Sequence, residues 1–90
     1  MGKGEISWKR TSPEGERLQV YAQRVGERWS FHVRHRRFEN WEVLDQPPLE
    51  DWLILLRAVE RRVARRLVRP EEVTRLLRKI RAEFPEAEVQ

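Results

Sequence analysis

Apolar and polar residues alternate along residues 5–36, a pattern typical of β-strands that bury one face. A first turn is predicted at residues 12–15, where Pro13 and Gly15 suit a type I turn that ends in a left-handed glycine. The resulting three-residue loop pairs Trp8 with Val20, so apolar side chains meet across the first two strands.

A second turn is predicted at Gly26, as the first residue of a two-residue hairpin loop. This loop pairs Ala22 with Phe31 and leaves polar and basic residues on the opposite face. We expect that face to hold Ser7, Lys9, Gln19, Tyr21, Gln23, Ser30, His32, Arg34 and Arg36. The predicted strands are 5–11, 16–25 and 28–36, with a short fourth at 40–44 where the alternation is imperfect.

After Pro47 and Pro48 the apolar period changes to that of a helix, which predicts helices over about 48–67 and 70–84. The first should bury Leu49, Trp52, Leu53, Leu56, Val59, Val63 and Leu67, and the second should bury Val73, Leu76, Leu77, Ile80 and Phe84. The predicted fold is therefore α+β, a three- to four-stranded antiparallel β-meander followed by two amphipathic helices packed on one face of the sheet.

Ninety residues are enough for one domain with one modest core, so we expect residues 1–90 to form a single domain. The chain has no cysteine, which excludes disulfides and thiolate metal sites and is consistent with a reducing compartment. With neither a signal peptide nor an apolar run of about 20 residues, the chain is expected to be cytoplasmic.

The net charge of +4 is unevenly distributed along the chain. Residues 28–37 contain four arginines and no acid, and residues 52–69 contain six arginines and one acid, Glu60. Between them, residues 38–51 contain five acids and no arginine or lysine. Two basic blocks of this kind favour an anionic partner, and nucleic acid is the leading candidate.

Catalytic and metal sites are not indicated, so we expect that the protein is not an enzyme. Ser30, His32 and Tyr21 share a strand face, but nucleophilic catalysis also needs an orienting carboxylate and an oxyanion hole. His32 and His35 are three residues apart on a predicted strand, and their side chains therefore point to opposite faces. No cofactor motif is present among the four glycines.

The polar face of the predicted sheet is the first candidate site, because aromatic rings stack with unpaired bases and cations attract phosphates. The candidate nucleic-acid-binding residues are Lys9, Tyr21, His32, Arg34, Arg36 and Arg37. The alternative is a polar face that is merely solvated, as one face of an antiparallel sheet often is.

The first helix offers a second basic surface, in which Arg57, Arg61 and Arg65 are four residues apart. These arginines could contact phosphates or an acidic protein, or they could pair with the acidic segment 38–51. Ile54 and Ala58 are expected on the side of the helix opposite the core stripe, and Leu55 at its margin. Exposed aliphatic residues among arginines can be solitary and without function, or they can form a homodimer seam. If the helices cover the apolar sheet face, these arginines lie on the far side of the domain from the polar face.

No motif identifies a family. In architecture alone, a twisted antiparallel sheet followed by a helix resembles the single-stranded-DNA-binding fold of the transcriptional coactivator and Whirly proteins. That resemblance implies binding through the sheet and dimerisation through helices. The second strong helix departs from it.

Overall fold

A computed structural model describes residues 5–35 and 39–89, and the chain divides between Gln46 and Pro47 into two compact units. The first unit contains the strands β1 (Ile6–Thr11), β2 (Arg17–Val25), β3 (Arg28–Arg34) and β4 (Glu42–Val43). The second contains the helices α1 (Leu49–Ala64) and α2 (Glu71–Glu83). The strands form one antiparallel sheet in the order β1-β2-β3-β4, so the predicted α+β class is confirmed.

Both predicted hairpins have the predicted register. In the first, Trp8 pairs with Val20, and the Ser12 N–H donates to the Glu16 carbonyl oxygen at 2.7 Å. Gly15 has φ +90°, the left-handed conformation that a side chain would strain and that ends the three-residue loop. In the second hairpin, Ala22 pairs with Phe31 across a two-residue loop.

The short strand β4 extends the sheet beyond β3. His32 pairs with Val43, and the Leu44 N–H donates to the Phe31 carbonyl oxygen at 2.8 Å. The fourth strand is therefore present, although at two residues it is shorter than the predicted 40–44. Because paired residues share a face, Val43 lies on the same side of the sheet as His32.

The two faces of the sheet differ in burial. On the apolar face the strands bury Ile6, Leu18, Val20, Ala22 and Phe31. Trp8 lies on this face with its ring edge-on to Phe31, at a centroid distance of 6.2 Å. The apolar periodicity thus identified the inward face, while the packing of the helices on that face stays a prediction.

Helix α1 ends at Ala64, three residues before the predicted end at 67. Arg66 has φ +61°, and its N–H donates to the Val63 carbonyl at 2.9 Å while the Leu67 N–H donates to the Arg62 carbonyl at 2.8 Å. These two bonds form a Schellman cap. Because an arginine takes the left-handed position usually held by glycine, the sequence contained no stop signal before Pro70.

The buried side of α1 also differs from the prediction. Leu55 and Ala58, expected to be exposed, are only 0% and 8% exposed, whereas Leu67, expected to be buried, is 69% exposed. The buried residues are Asp51, Trp52, Leu55, Leu56, Ala58 and Val59, and Leu49, Leu53 and Val63 are half-buried. With apolar residues on more than one side of the helix, periodicity alone could not decide which of them face inward.

Helix α2 contacts α1 and buries Leu76 and Ile80. The other residues of its predicted stripe, Val73, Leu77 and Phe84, are half-buried. The chain that follows α2 is tied back to it, since the Arg81 guanidinium donates to the Val89 carbonyl oxygen at 3.1 Å. Neither described helix has the length and apolar character needed to cross a membrane.

Candidate functional site

The face of the sheet opposite the apolar face is called here the polar sheet face. Its strand positions are Ser7, Lys9, Thr11, Arg17, Gln19, Tyr21, Gln23, Val25, Arg28, Ser30, His32, Arg34 and Val43. Within the described strands these positions include four lysine or arginine side chains and no carboxylate. The strand positions of this face therefore carry a net positive charge, which attracts anions.

Three rings are packed together on the polar sheet face. The Tyr21 and His32 rings are stacked, with centroids 4.6 Å apart and planes 10° from parallel. Trp41 meets Tyr21 edge to face, with centroids 4.7 Å apart and planes at 88°. All three residues are half-buried. We call these three residues together with Arg34 the aromatic cluster.

Arg34 is held in place by two contacts. Its Nε–H donates to the Gln19 side-chain oxygen at 2.6 Å, and its Cζ atom lies over the Trp41 ring, 4.2 Å from the centroid. Among the described residues, its two terminal amino groups have no hydrogen-bond acceptor or ion-pair partner. The guanidinium is thus oriented in advance, and its terminal fork remains available for a ligand.

His32 has one ring nitrogen without a hydrogen bond in the aromatic cluster. Its Nδ1 atom is buried and is the single buried side-chain nitrogen or oxygen without a hydrogen-bond partner within 5–35 and 39–89. An unsatisfied buried polar group of this kind costs about 1–3 kcal/mol. The imidazole therefore stays stacked on Tyr21 despite the free-energy cost of its unpaired nitrogen.

The polar sheet face brings together most of the predicted site residues. Tyr21, His32 and Arg34 meet in the aromatic cluster, and Lys9 is exposed on the same face. Arg36 and Arg37 lie outside the described residues. Sequence reasoning placed a single aromatic residue, Tyr21, on this face and missed Trp41. The sequence does indicate this position, because residues two apart along a strand point to the same face and Trp41 is two residues before Val43.

The predicted second surface is defined by Arg57, Arg61 and Arg65 and is called here the α1 arginine surface. All three side chains are exposed. Arg57 pairs with Glu60 at 3.0 Å, whereas Arg61 and Arg65 form no side-chain ion pair within the described part of the chain. The proposed dimer seam loses support here, since Leu55 and Ala58 are buried within their own chain and Ile54 is half-buried.

The polar side chains considered for catalysis or metal binding make ordinary local contacts. The Ser30 hydroxyl donates to the Gln23 carbonyl oxygen at 3.3 Å. The Nε2 atom of His35 lies 3.6 Å from a carboxylate oxygen of Glu16, and its Nδ1 atom lies 3.9 Å from a carboxylate oxygen of Glu39. In the described ranges, no three histidine, aspartate or glutamate side chains are grouped so that they could hold a metal ion.

Comparison of the chain with known protein families, curated proteins and solved structures finds no match. The function is therefore argued from the geometry of the polar sheet face alone.

Proposed function

We propose that this protein binds single-stranded nucleic acid on the polar sheet face. The observation that carries the proposal is the aromatic cluster, in which Trp41 and Tyr21 lie beside an oriented Arg34. The cluster stands on a face whose charged strand positions are all basic. Rings supply contacts to bases and the cations supply contacts to phosphates, which is the combination used by proteins that bind single strands.

Single strands fit this face better than a duplex. In a duplex the faces of the bases are stacked on each other, so an aromatic side chain reaches them only by distorting the helix. In a single strand each base presents a face, and a sheet can hold several bases side by side. Val43, on the same side as His32 and 65% exposed, adds apolar surface of the kind that a base covers.

Two other ligand classes fit less well. A cationic ligand would be repelled by a face whose charged strand positions are all basic. An acidic protein would match the charge of the face but would leave the half-buried rings of Trp41 and Tyr21 without a specific partner. Nucleic acid uses both the charge and the rings.

A salt titration tests the proposal. Binding of the full chain to labelled oligothymidylate of about 20 nucleotides is measured between about 50 and 200 mM salt, beside a duplex of equal length. We expect tighter binding of the single strand. If the four strand cations each contact a phosphate, the slope of log K against log salt should be negative, with a magnitude of no more than about 3.

Two results would overturn the proposal. One is the absence of binding to any oligonucleotide at about 50 mM salt, where even non-specific association is strong. The other is equal binding of duplex, single strand and a polyglutamate peptide, because charge alone would then explain the interaction. A preference for the peptide would move the function to docking of an acidic partner, with the α1 arginine surface as the candidate.

A further inference from the structure

We infer that Arg34 makes this interface selective for guanine, through a bidentate pair between its terminal amino groups and the O6 and N7 atoms of the base. This inference rests on the proposed function and deepens it by naming the preferred base. It assigns to Arg34 a contact with a base edge, whereas the other cations of the polar sheet face contact phosphates.

The guanidinium of Arg34 is oriented by two neighbours. Because Nε is engaged by Gln19 at 2.6 Å, the hydrogen-bonding edge that remains is the end-on fork formed by the two terminal nitrogens. Because Cζ lies 4.2 Å from the Trp41 centroid, the fork is also restrained in height above that ring. A fork fixed in this way selects a ligand with two adjacent acceptors.

The fork discriminates among the bases. Guanine presents two adjacent acceptors, O6 and N7, and arginine pairing with them is the commonest specific arginine–base contact. Adenine presents an acceptor beside a donor, so one half of the fork would face an amino group. Cytosine has adjacent acceptors on its pairing edge but has a single ring, which offers less surface to Trp41 than a purine does.

Two kinds of partner are open to Arg34, a base and a phosphate. Both offer two oxygen or nitrogen acceptors, and arginine binds both. A planar base that continues the plane of the fork has ring faces that can contact the aromatic cluster, whereas a phosphate has none. The position of Arg34 over the Trp41 ring, which in turn contacts Tyr21, therefore favours the base.

The test uses oligothymidylates that carry central guanine, adenine or cytosine, together with two guanine analogues. A bidentate contact is worth about 1–3 kcal/mol of discrimination, so we expect guanine to bind about 5- to 150-fold more tightly than adenine. Inosine keeps O6 and N7 and should bind like guanine. The analogue 7-deazaguanine lacks N7 and should lose most of the preference.

The variant arm compares Arg34→Lys with Arg28→Lys, since both cations lie on strand β3 and face the same side of the sheet. Lysine keeps the charge but has no planar fork, so Arg34→Lys should abolish the guanine preference while Arg28→Lys keeps it. The guanine preference is the ratio of two affinities measured on the same variant. Partial unfolding lowers both affinities by the same factor, so it does not change the ratio.

Several results overturn the inference while the proposed function stands. These are oligothymidylate binding without a guanine preference, equal binding of guanine and 7-deazaguanine, a preference for cytosine, and a guanine preference that survives Arg34→Lys. A salt slope that decreases in Arg34→Gln without any base preference would assign Arg34 to a phosphate. If no oligonucleotide binds at all, the proposed function itself fails.

Discussion

The polar sheet face and the α1 arginine surface are both basic, but they hold their arginines in different ways. On the sheet, Arg34 is fixed by a hydrogen bond to Gln19 and by contact with Trp41. On α1, Arg57 pairs with Glu60, three residues further along the same helix, and within the described part of the chain Arg61 and Arg65 form no side-chain ion pair. Both surfaces are positively charged, but only on the sheet is an arginine held in one orientation by two different neighbours.

The number of charges on a surface does not by itself determine how strongly or specifically it binds. Ordering a long, flexible side chain on binding costs about 0.5–1.5 kcal/mol, and an arginine that is already ordered avoids most of that cost. An exposed ion pair such as the one between Arg57 and Glu60 contributes little and is screened by salt. We therefore expect the specific contact at Arg34 and a diffuse attraction at the α1 arginine surface.

Each region also carries one local energetic cost. In the sheet it is the unpartnered buried Nδ1 of His32, and at the end of α1 it is the left-handed backbone of Arg66. The first cost lies within the aromatic cluster, whereas the second belongs to a helix cap. Removing each cost in turn measures how much stability it takes from the fold.

The largest expected effect is that of Trp41→Ala on binding of single strands. Loss of one stacking side chain should weaken binding by about 1–3 kcal/mol, and it also removes the ring that restrains Arg34. Fluorescence titration with oligothymidylate measures the change. Trp29→Ala is the matched control, because Trp29 pairs with Arg24 on the opposite side of the sheet and should not alter binding.

An unchanged affinity in Trp41→Ala, with the fold intact by circular dichroism, would remove the aromatic cluster from the site. An equal loss in Trp29→Ala would indicate that the effect comes through the stability of the sheet.

The next effect is on stability. In His32→Phe a ring of similar size keeps the stacking on Tyr21, while the buried unpaired nitrogen disappears. We expect the free energy of unfolding to be unchanged or to rise by up to about 1 kcal/mol in urea denaturation. His35→Phe, at an exposed histidine beside Glu16 and Glu39, should bring no such gain.

A loss of more than about 1 kcal/mol in His32→Phe would show that a ring nitrogen of His32 makes a contact that matters for folding. A gain in stability accompanied by weaker binding would mean that the penalty at His32 serves the interface.

A comparable gain in stability is expected at the C-terminal cap of α1. Arg66→Gly removes the strain of a left-handed arginine and should raise the free energy of unfolding by about 0.5–1 kcal/mol, as measured by thermal melting. Arg65→Gly is the control, because Arg65 has φ −90° and gains nothing from glycine. A destabilised Arg66→Gly would mean that the arginine side chain stabilises the cap by more than its backbone costs.

The smallest effect is expected when Arg57, Arg61 and Arg65 are changed together to glutamine. Attraction between exposed charges is screened within about 10 Å at 0.1 M salt, so single-strand affinity should fall by less than about threefold at that ionic strength. Filter binding or fluorescence anisotropy measures it. A large loss, with Trp41→Ala silent, would exchange the roles of the two surfaces.

The sheet was predictable from sequence because its turns use residues with strong local preferences. Pro13 and Gly15 define the first loop and Gly26 the second, so both registers follow from loop length and alternation together. The placement of Tyr21 opposite His32 came with the register. The distances that make these residues a cluster with Trp41 depend on side-chain packing, which a strand pattern does not contain.

The helices were predicted less completely. Their number and approximate positions followed from the prolines and the apolar period, but the end of α1 depends on a left-handed arginine that no residue preference signals. The buried side of α1 includes Trp52, Leu56 and Val59 of the predicted stripe but also Leu55 and Ala58, which lie outside it. Burial of a helix is decided by its neighbours in space, and these do not appear in a linear pattern.

The meander order of the sheet has a consequence for the speed of folding. Each of β1, β2 and β3 pairs with the next strand in the chain, and the first two connections are loops of three and two residues. Closing such loops costs little entropy, and isolated hairpins form in about 1–10 μs. The strands therefore search for their partners over short lengths of chain, which leaves little time for a wrong register to bring an exposed edge against another molecule.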